Sequence, residues 1–294
     1  MQQAGGWVHP ASCLLILYPM IPQYLVIGDL TRDLLPSGDS TPGGTVLYAA
    51  TTVARLGVGA AVLTSGDPTQ PLGMIGGVQA SIVPAPTRAT FENRYTPEGR
   101  VQMLHALGAR LHFADLPLAW RAIPVVHLGP LTGEFGLDMA EYFPDSLVGV
   151  TPQGWMRAWD DPLPAPIRRV AWRPDPAQLR HVGVLVLSIE DVGGDEDLAA
   201  SYARNCRLVA VTRGARGSTL YISGEPHQID AFPAVERDPT GAGDVFAAAL
   251  LLRLRETDDP LAAAAFASAV AACAVEGPGT SAIPTRAEAL ARMG

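Results

Sequence analysis

The stretch Asp238-Pro-Thr-Gly-Ala-Gly-Asp-Val-Phe246 decides how this chain is interpreted. It places two glycines and a carboxylate before an apolar run, Val245 to Leu252, whose Ala and Leu content is typical of a helix. A helix start offers unpaired amides and a positive dipole end, and Gly241 and Gly243 let the backbone come close to an anion. The stretch therefore predicts a phosphate site at a helix N-terminus.

Asp244 follows this glycine pair directly. A carboxylate beside a bound phosphate repels it, and its natural role there is to take a proton from a hydroxyl that attacks the phosphorus. The alternative is an acidic residue in the first helical turn that only complements the helix dipole. The Asp238-Pro-Thr prefix and the Ala-rich helix favour the catalytic role.

The same nine residues resemble the C-terminal signature of the ribokinase-like (PfkB) carbohydrate kinases, D-T-x-G-A-G-D followed by a small-residue helix, with Pro239 at the second place. The resemblance extends in motif order from about Tyr24 to Arg286. It implies an α/β fold, a three-layer sandwich with a central, mostly parallel sheet flanked by helices and with a small β lid. It also implies that Asp244 is the catalytic base and that an anion hole is formed by Gly241, Ala242 and Gly243.

Composition excludes several classes of protein. The chain has 294 residues, 48% of them hydrophobic, and a formal net charge of −8. Its length suits one large α/β domain, and without an 18-residue apolar run no membrane span is predicted. The acidic balance argues against nucleic-acid binding. All 21 basic residues are arginine, which excludes a Walker-lysine P-loop kinase and Schiff-base lysine chemistry.

The cysteines bear on the cellular compartment of the protein, and the N-terminal residues bear on where its folded domain starts. Cys13, Cys206 and Cys273 are far apart and show no metal-ligand spacing, which indicates a reducing, cytoplasmic compartment. Residues 1–23 lack the early basic residues of a signal peptide, and we expect them to be a disordered extension. A single kinase domain is predicted over residues 24–290.

Short apolar runs between residues 24 and 212 alternate with helical stretches, which include Glu134–Glu141 and Asp195–Arg204. Such alternation indicates parallel strands joined by crossover helices, and continuous apolar runs fit a sheet covered on both faces. A hairpin is predicted around Ser223-Gly224. Two helices, Ala242–Arg255 and Pro260–Ala274, are predicted to follow it.

Residues 89–107 form a polar, alternating pattern around the turn Thr96-Pro-Glu-Gly99, which predicts a hairpin that stands away from the core. The pattern alone is compatible with an ordinary edge hairpin. In the resembled family such strands form a lid over the sugar. The resemblance assigns segments near residues 30–42 and 86–107 to this lid, places Asn93 at the substrate, and suggests a homodimer formed through the lid.

Two stretches are predicted to hold the phosphoryl acceptor, one at Asp33 and one at the glycine pair Gly43-Gly44. Asp33 follows the first strand, where ligands bind in open α/β sheets, and its carboxylate offers several acceptor sites to vicinal hydroxyls. A solvated turn is the alternative for Asp33, and Asp29 is the neighbour with which it can be confused. Gly43 and Gly44 open a helix, where a glycine pair on sequence alone is usually a turn. The resemblance places them against the sugar, although the Asn that usually follows is missing near Tyr48.

The remaining motifs are assigned to the donor by the resemblance. Ser188-x-x-Asp191 stands where the family has N-x-x-E, so Asp191, with Glu190 as a substitute, is expected to contact Mg²⁺ through water; without the family these residues would be a helix N-cap cluster. The pattern T-x-G-x-x-G and two later glycines are assigned to ATP, and the turn after Glu276 to a monovalent cation. The nucleotide residues are Thr212, Gly214, Gly217, Thr240, Gly277 and Gly279.

The sequence thus predicts an ATP-dependent, Mg²⁺-requiring kinase that phosphorylates a hydroxyl of a small sugar or polyol. Short segments around the acceptor and few aromatic residues favour a compact polyhydroxylated acceptor, an inositol or a hexose, and the closest motif resemblance is to the inositol-kinase-like branch. Two alternatives stay open. One is a nucleoside kinase of the same fold, and the other is a catalytically silent family member that acts as a binding protein.

Overall fold

The structure is a computed structural model that describes residues 21–69, 76–96 and 99–294, without the side chains of residues 95, 96, 99 and 100. Residues 1–20 of the predicted extension, which include Cys13, lie outside the described residues. The strands, in chain order, are β1 (Tyr24–Gly28), β2 (Thr31–Leu34), β3 (Ser40–Gly43), β4 (Ala60–Gly66), β5 (Gln79–Pro84), β6 (Thr90–Thr96), β7 (Gly99–Ala106), β8 (Val125–Gly129), β9 (Leu147–Val150), β10 (Arg157–Ala158), β11 (Ala165–Pro166), β12 (Arg168–Arg169), β13 (Val184–Ser188), β14 (Leu208–Thr212), β15 (Ser218–Ile222) and β16 (Glu225–Ile229).

Helices cover both faces of the larger sheet. The α-helices are α1 (Thr45–Arg55), α2 (Pro176–Leu179), α3 (Glu196–Ser201), α4 (Ala242–Thr257), α5 (Pro260–Ala274) and α6 (Arg286–Met293). Short 3₁₀ turns cover Phe113–Asp115, Leu118–Trp120, Leu137–Tyr142, Gln153–Met156, Tyr202–Arg204 and Gly214–Arg216. No helix in the described part of the chain is long and apolar enough to cross a membrane.

The larger sheet has nine strands in the order β16-β15-β14-β13-β9-β8-β1-β4-β5. Its pairs are parallel except for β14/β15 and β15/β16. One core cluster joins α1, α4 and α5 to one face of the sheet, and a second covers the other face. The predicted three-layer α/β sandwich is confirmed.

The predicted late elements lie where the sequence placed them. The hairpin turns through Ser223 and Gly224, both with positive φ, as a two-residue turn requires. Asp195 caps α3 by accepting from the Leu198 amide at 2.9 Å, and the predicted helix tightens to 3₁₀ at Tyr202.

The predicted helix Glu134–Glu141 is wrong. Only Leu137–Tyr142 is helical, and it forms a 3₁₀ turn. The Glu134 carboxylate accepts hydrogen bonds from the amides of Asp29, Leu131 and Thr132, so it fixes a loop instead of starting a helix.

A second, five-stranded sheet stands over the carboxyl edge of the first, in the order β11-β7-β6-β2-β3. Both segments that the sequence assigned to a lid contribute strands to it. The chain adds a third segment, because β11 pairs with β7 through Ala165 opposite Leu104. Its role as a lid stays a prediction.

Candidate active site

The N-termini of α1 and α4 meet at the centre of the site, and each begins at a glycine with positive φ. A Cβ at Gly44 would lie 2.4 Å from the Asp29 carbonyl oxygen, and one at Gly241 would lie 2.3 Å from the Tyr48 ring. Both positions therefore need glycine for backbone conformation and for space. Tyr48, near the place of the expected Asn, is buried against the anion-hole loop.

Asp244 lies in the first turn of α4, half-buried, and accepts a hydrogen bond from the Thr45 hydroxyl. Burial raises the pKa of Asp244 to about 6, the nearby Asp191 charge also raises it, and Thr45 and the Arg157 guanidinium act in the opposite direction. A carboxylate with that pKa is ionised at neutral pH and still basic enough to accept a proton from a hydroxyl. The raised pKa and the Thr45 hydrogen bond are compatible with the predicted role of Asp244 as general base.

The amides at the start of α4 differ in whether they are hydrogen-bonded within the protein. The Ala242 amide donates to the Pro239 carbonyl at 3.2 Å, so it closes a turn. First-turn amides have no intrahelical partner, and a Cβ at Gly243 would meet no atom within 4 Å. Gly243 therefore borders the open space in which an anion can approach the helix N-terminus.

Asp238, the first residue of the signature, holds this loop in place. Its carboxylate accepts from the Thr240 amide at 3.0 Å and from the Gly279 amide at 2.8 Å. Burial raises the pKa of Asp238, but these hydrogen bonds outweigh it and leave the pKa below its ordinary value. Asp238 is thus a charged clamp between the signature and the turn at Gly277–Gly279, two segments that the sequence assigned to one ligand.

The predicted acceptor residues Asp33, Gly43 and Gly44 are brought together by the pairing of β2 with β3. The Thr31 hydroxyl donates to Asp33 Oδ1 at 3.0 Å, and a Cβ at Gly43 would lie 2.4 Å from Asp33 Oδ2. Asn93 lies two residues beyond Phe91, which pairs with Asp33, so Asn93 and Asp33 share one face of the second sheet.

Asp29 and Asp33 are clearly distinguished by the structure. Asp29 is buried and accepts from the hydroxyls of Thr132, at 2.9 Å, and Ser65, at 3.3 Å. Burial and the adjacent Glu134 carboxylate raise the pKa of Asp29 to about 8. Asp29 belongs to a buried network that fixes the loop after β8, whereas Asp33 lies at the proposed acceptor position.

Asp191 lies three residues beyond the carboxyl end of β13 and within electrostatic reach of Asp244. Its Oδ2 accepts from the Ser188 amide at 2.9 Å, and its Oδ1 lies 3.4 Å from the donor Gln153 Nε2. Burial raises the pKa of Asp191, although hydrogen bonds and Arg157 act against it. Glu190 is exposed and its carbonyl accepts from Arg169 at 2.8 Å, so Asp191 is the better placed carboxylate.

These residues fit a magnesium ion that is held mainly by other ligands. In the described ranges no three acidic, His or Cys side chains form a metal-binding group. Mg²⁺ accepts one or two protein carboxylates and completes its shell with water and substrate phosphates. One carboxylate, Asp191, is consistent with that mode of binding.

The loop after β14 carries Thr212, Gly214 and Gly217. Both glycines have positive φ, and a Cβ at Gly217 would lie 2.1 Å from the Ile229 carbonyl oxygen. Arg213, which lies in this loop, is bound to the Glu196 carboxylate at 2.5 Å. Its side chain therefore fastens the loop to α3 and is not directed to a phosphate.

Sequence reasoning missed two residues of this site, Thr45 and Arg157. Thr45 follows the Gly43-Gly44 pair, and its position as the first residue of a helix gave no sign that it contacts Asp244. Arg157 lies in a short strand, β10, that no hydrophobic pattern marks. Both reach the site only through tertiary packing.

Comparison with known proteins is consistent with this site. Residues 187–286 match the family model described as pfkB family carbohydrate kinase. The chain is 39% identical over 97 residues to the bifunctional protein HldE of Rhodopseudomonas palustris (strain HaA2) and 41% identical over 87 residues to a nucleoside kinase of Methanothermobacter thermautotrophicus. It is 36% identical over 120 residues to an inositol 3-kinase of Oryza sativa subsp. japonica. These alignments cover 33%, 29% and 38% of the chain but only 20%, 28% and 30% of the relatives.

Solved structures match nearly the whole chain. A pyrophosphate-dependent kinase in the ribokinase family, complexed with a pyrophosphate analog and myo-inositol, matches with a TM-score of 0.75 at 22% identity, over 92% of this chain and 99% of that one. A nucleoside kinase of Methanocaldococcus jannaschii matches with a TM-score of 0.69 at 19% identity, over 93% and 99%. The fold and the predicted family resemblance are confirmed.

Proposed function

Because residues 187–286 match the pfkB family carbohydrate kinase model and the chain has the fold of ribokinase-family kinases, we propose that it transfers a phosphoryl group to a hydroxyl of a small polyhydroxylated acceptor. The observation that carries the proposal is the arrangement of Asp244. A carboxylate with a pKa near 6 lies in the first turn of α4, beside its open N-terminus, accepts a hydrogen bond from Thr45 next to the Gly43–Gly44 pair, and lies within electrostatic reach of Asp191. A base next to an anion site, with an acceptor segment and a second carboxylate nearby, is what phosphoryl transfer to an alcohol requires.

The chain's own residues divide the work as follows. Asp33 and the Gly43–Gly44 backbone orient the acceptor, and Asp244 takes the proton of the attacking hydroxyl. First-turn amides of α4 stabilise charge on the transferred group. Asp191 would hold Mg²⁺ through water, and that ion would neutralise phosphate charge when bound. Thr212, Gly214 and Gly217, with the Thr240 and Gly277–Gly279 segments, would hold the nucleotide of ATP.

A compact polyol such as an inositol or a hexose is the acceptor that the site supports best. A nucleobase needs an accessible aromatic face, and the rings of Phe91 and Tyr48 are each only 4% exposed. Phe91 packs with Leu104 and Leu131 under the second sheet. Similarity to inositol 3-kinases and to the kinase complexed with myo-inositol points the same way.

A nucleoside kinase is the second candidate, because nucleoside kinases are among the relatives and among the structures with this fold. The two are separated by kcat/KM for myo-inositol, hexoses, pentoses and nucleosides, each with ATP and with pyrophosphate as donor, in the presence of Mg²⁺. Preference for a polyol or hexose supports the proposal, and preference for a nucleoside over every sugar and polyol overturns it. Asp244→Asn serves as the inactive control, and no turnover by the wild type on any acceptor would favour a silent binding protein.

Two further expectations are proposals about assembly and ions. We propose a homodimer through the second sheet, in which β3 is an exposed edge strand. Light scattering coupled to size exclusion tests the dimer. A monovalent cation beside the Gly277–Gly279 turn is tested by comparing turnover in potassium, sodium and tetramethylammonium salts.

A further inference from the structure

Tyr48 lies one turn into α1, and its ring packs on the start of α4. A Cβ at Gly241 would lie 2.3 Å from both Cγ and Cδ1 of the ring, so the ring rests directly on the backbone at the N-cap of α4. Three residues earlier, on the same face of α1, Thr45 donates to Asp244. The two side chains therefore join the starts of the two helices, and the position of the Tyr48 ring is fixed.

The Tyr48 hydroxyl has no hydrogen-bond partner among the residues that the structure describes. In the same part of the chain, the fully enclosed side-chain oxygens without a partner are those of Thr51 and Ser218, and the Tyr48 oxygen is not one of them. Tyr48 is 4% exposed, so this small exposed fraction includes its hydroxyl. Buried tyrosines usually satisfy that group, as Tyr202 does by donating to the Trp172 carbonyl at 3.0 Å. The Tyr48 hydroxyl thus faces open space from an otherwise buried side chain.

The helix geometry directs this hydroxyl toward the proposed acceptor position. Side chains of an α-helix lean toward its N-terminus, so Tyr48 covers the turn that starts at Gly44, whose carbonyl accepts from the Tyr48 amide at 3.4 Å. Gly43 precedes that turn, and a Cβ there would lie 2.4 Å from Asp33 Oδ2. The hydroxyl therefore extends from the start of α4 toward the segment formed by Gly43, Gly44 and Asp33.

The chemistry of the phenol complements that of the nearby carboxylates. Burial raises the pKa of Tyr48, and three carboxylates raise it further, those of Asp238, Asp33 and Asp244. The hydroxyl therefore keeps its proton and can donate a hydrogen bond, whereas an ionised carboxylate can only accept one. A polyol donates to carboxylates through its hydroxyl protons, and its oxygens still need a donor, which Tyr48 supplies.

We propose that Tyr48 is a specificity-determining residue whose hydroxyl donates a hydrogen bond to an oxygen of the acceptor other than the one that attacks phosphorus. The inference rests on the proposed function and narrows its acceptor to molecules that carry a second oxygen close to the reacting hydroxyl, as vicinal polyols do. Because the ring is held on Gly241, the hydroxyl cannot follow an acceptor that lacks this oxygen. Such a molecule covers the site and leaves the Tyr48 hydroxyl unpaired, so it is bound more weakly.

Tyr48→Phe tests the inference, because it removes the hydroxyl and keeps the ring on Gly241. With myo-inositol or glucose, whichever the acceptor panel prefers, we expect the acceptor KM to rise ~3- to 10-fold while kcat stays within a few-fold of wild type, as for one neutral hydrogen bond made equally in the ground and transition states. The melting temperature should be unchanged, because no hydrogen bond within the protein is lost. Tyr202→Phe is the matched control. It loses the hydrogen bond to the Trp172 carbonyl, so it should melt earlier and keep the wild-type KM.

Monodeoxy analogues of the same acceptor identify the contacted oxygen. Wild type should bind one analogue more weakly by at least the factor that Tyr48→Phe loses with the parent acceptor, and for that analogue the variant and wild type should have equal KM. Equal KM for the parent acceptor, or the same loss with every analogue, overturns the inference while the proposed function stands. A fall in kcat at unchanged KM also overturns it, since the contact would then be to the transferred group. An inactive wild type, or one that prefers a nucleoside over every sugar and polyol, overturns the proposed function and this inference together.

Discussion

The Thr45 hydroxyl donates to the Asp244 carboxylate and so joins the first residue of α1 to the first turn of α4. Thr45 is 1% exposed, and Gly129 leaves room for it, because a Cβ there would lie 2.2 Å from Thr45 Cγ2. The helix that begins at the acceptor glycines therefore also orients the proposed base. In the proposed reaction, this hydrogen bond would couple acceptor binding to proton transfer.

Asp244→Asn should keep the fold and lower kcat by ~10²-fold or more, as removal of a general base does. Thr45→Val should lower kcat less, by about tenfold, because the base remains but loses the hydrogen bond that orients it. Steady-state kinetics with circular dichroism as a fold check measures both. Turnover of the Asn variant within a few-fold of wild type would exclude Asp244 as the base.

The pKa of Asp244 predicts two opposite pH effects. A general base works in its ionised form, so kcat should fall about tenfold per pH unit as the pH drops below about 6.

The pKa of Asp244 in the folded protein is raised above the ordinary 3.8, so the folded protein binds the proton more tightly than the unfolded chain does. The contribution of Asp244 to stability therefore falls as the pH rises from about 4 to about 6. Asp244→Asn should therefore melt at a higher temperature than wild type at pH 7, and an unchanged or lower melting temperature would contradict the buried, ionised carboxylate.

Much of the fold was predictable because its signals are local. The small-residue helix after Gly243, the two-residue turn at Ser223-Gly224 and the apolar runs of the parallel strands specify elements without reference to the rest of the chain. The helix predicted from Glu134 failed because a tertiary contact, its carboxylate on three loop amides, outweighed the helical pattern.

Part of the candidate site could be predicted from the sequence, and the roles of its residues stay predictions. Asp244, Asp33 and Asp191 lie in motifs whose spacing is visible in the sequence. Thr45 and Arg157 act on those carboxylates across 199 and 87 residues, from positions 45 and 157 to position 244. A contact of that kind depends on the folded chain, so no spacing rule reveals it.

Gly243→Ala separates the anion site from the fold. The added methyl meets no protein atom within 4 Å, and Ala suits a helix better than Gly, so the melting temperature should be unchanged or slightly raised. The methyl would occupy the space of the transferred phosphoryl group, so kcat/KM should fall ~10-fold or more. Gly241→Ala is the contrast, because its Cβ would lie 2.3 Å from the Tyr48 ring and should destabilise the fold. Full activity of Gly243→Ala would show that phosphate does not bind at this helix start.

Asp191→Ala should raise the Mg²⁺ concentration needed for half-maximal turnover by ~10-fold or more and leave the acceptor KM nearly unchanged. Its Oδ2 accepts from the Ser188 amide at 2.9 Å, which fixes the carboxylate at the carboxyl end of β13. Glu190→Gln, at the exposed neighbour, should leave the Mg²⁺ dependence as in wild type. If the acceptor KM collapses and the Mg²⁺ dependence does not move, Asp191 belongs to the acceptor site and the assignment is wrong.

Asp33→Asn and Asp29→Asn compare the proposed acceptor ligand, which lies in β2, with a buried carboxylate four residues earlier. Asp33 is proposed to accept hydrogen bonds from acceptor hydroxyls, and a lost hydrogen bond to a charged group is worth about 1.5–3 kcal/mol, so the acceptor KM should rise ~10-fold or more. Burial and the adjacent Glu134 carboxylate raise the pKa of Asp29, and Asn keeps the shape and the neutral charge of the protonated form that this favours. Asp29→Asn should therefore keep the acceptor KM near wild type. Titration calorimetry with the preferred acceptor measures the difference directly. The reverse pattern, with binding lost in Asp29→Asn and kept in Asp33→Asn, would move the acceptor site to the buried carboxylate pair.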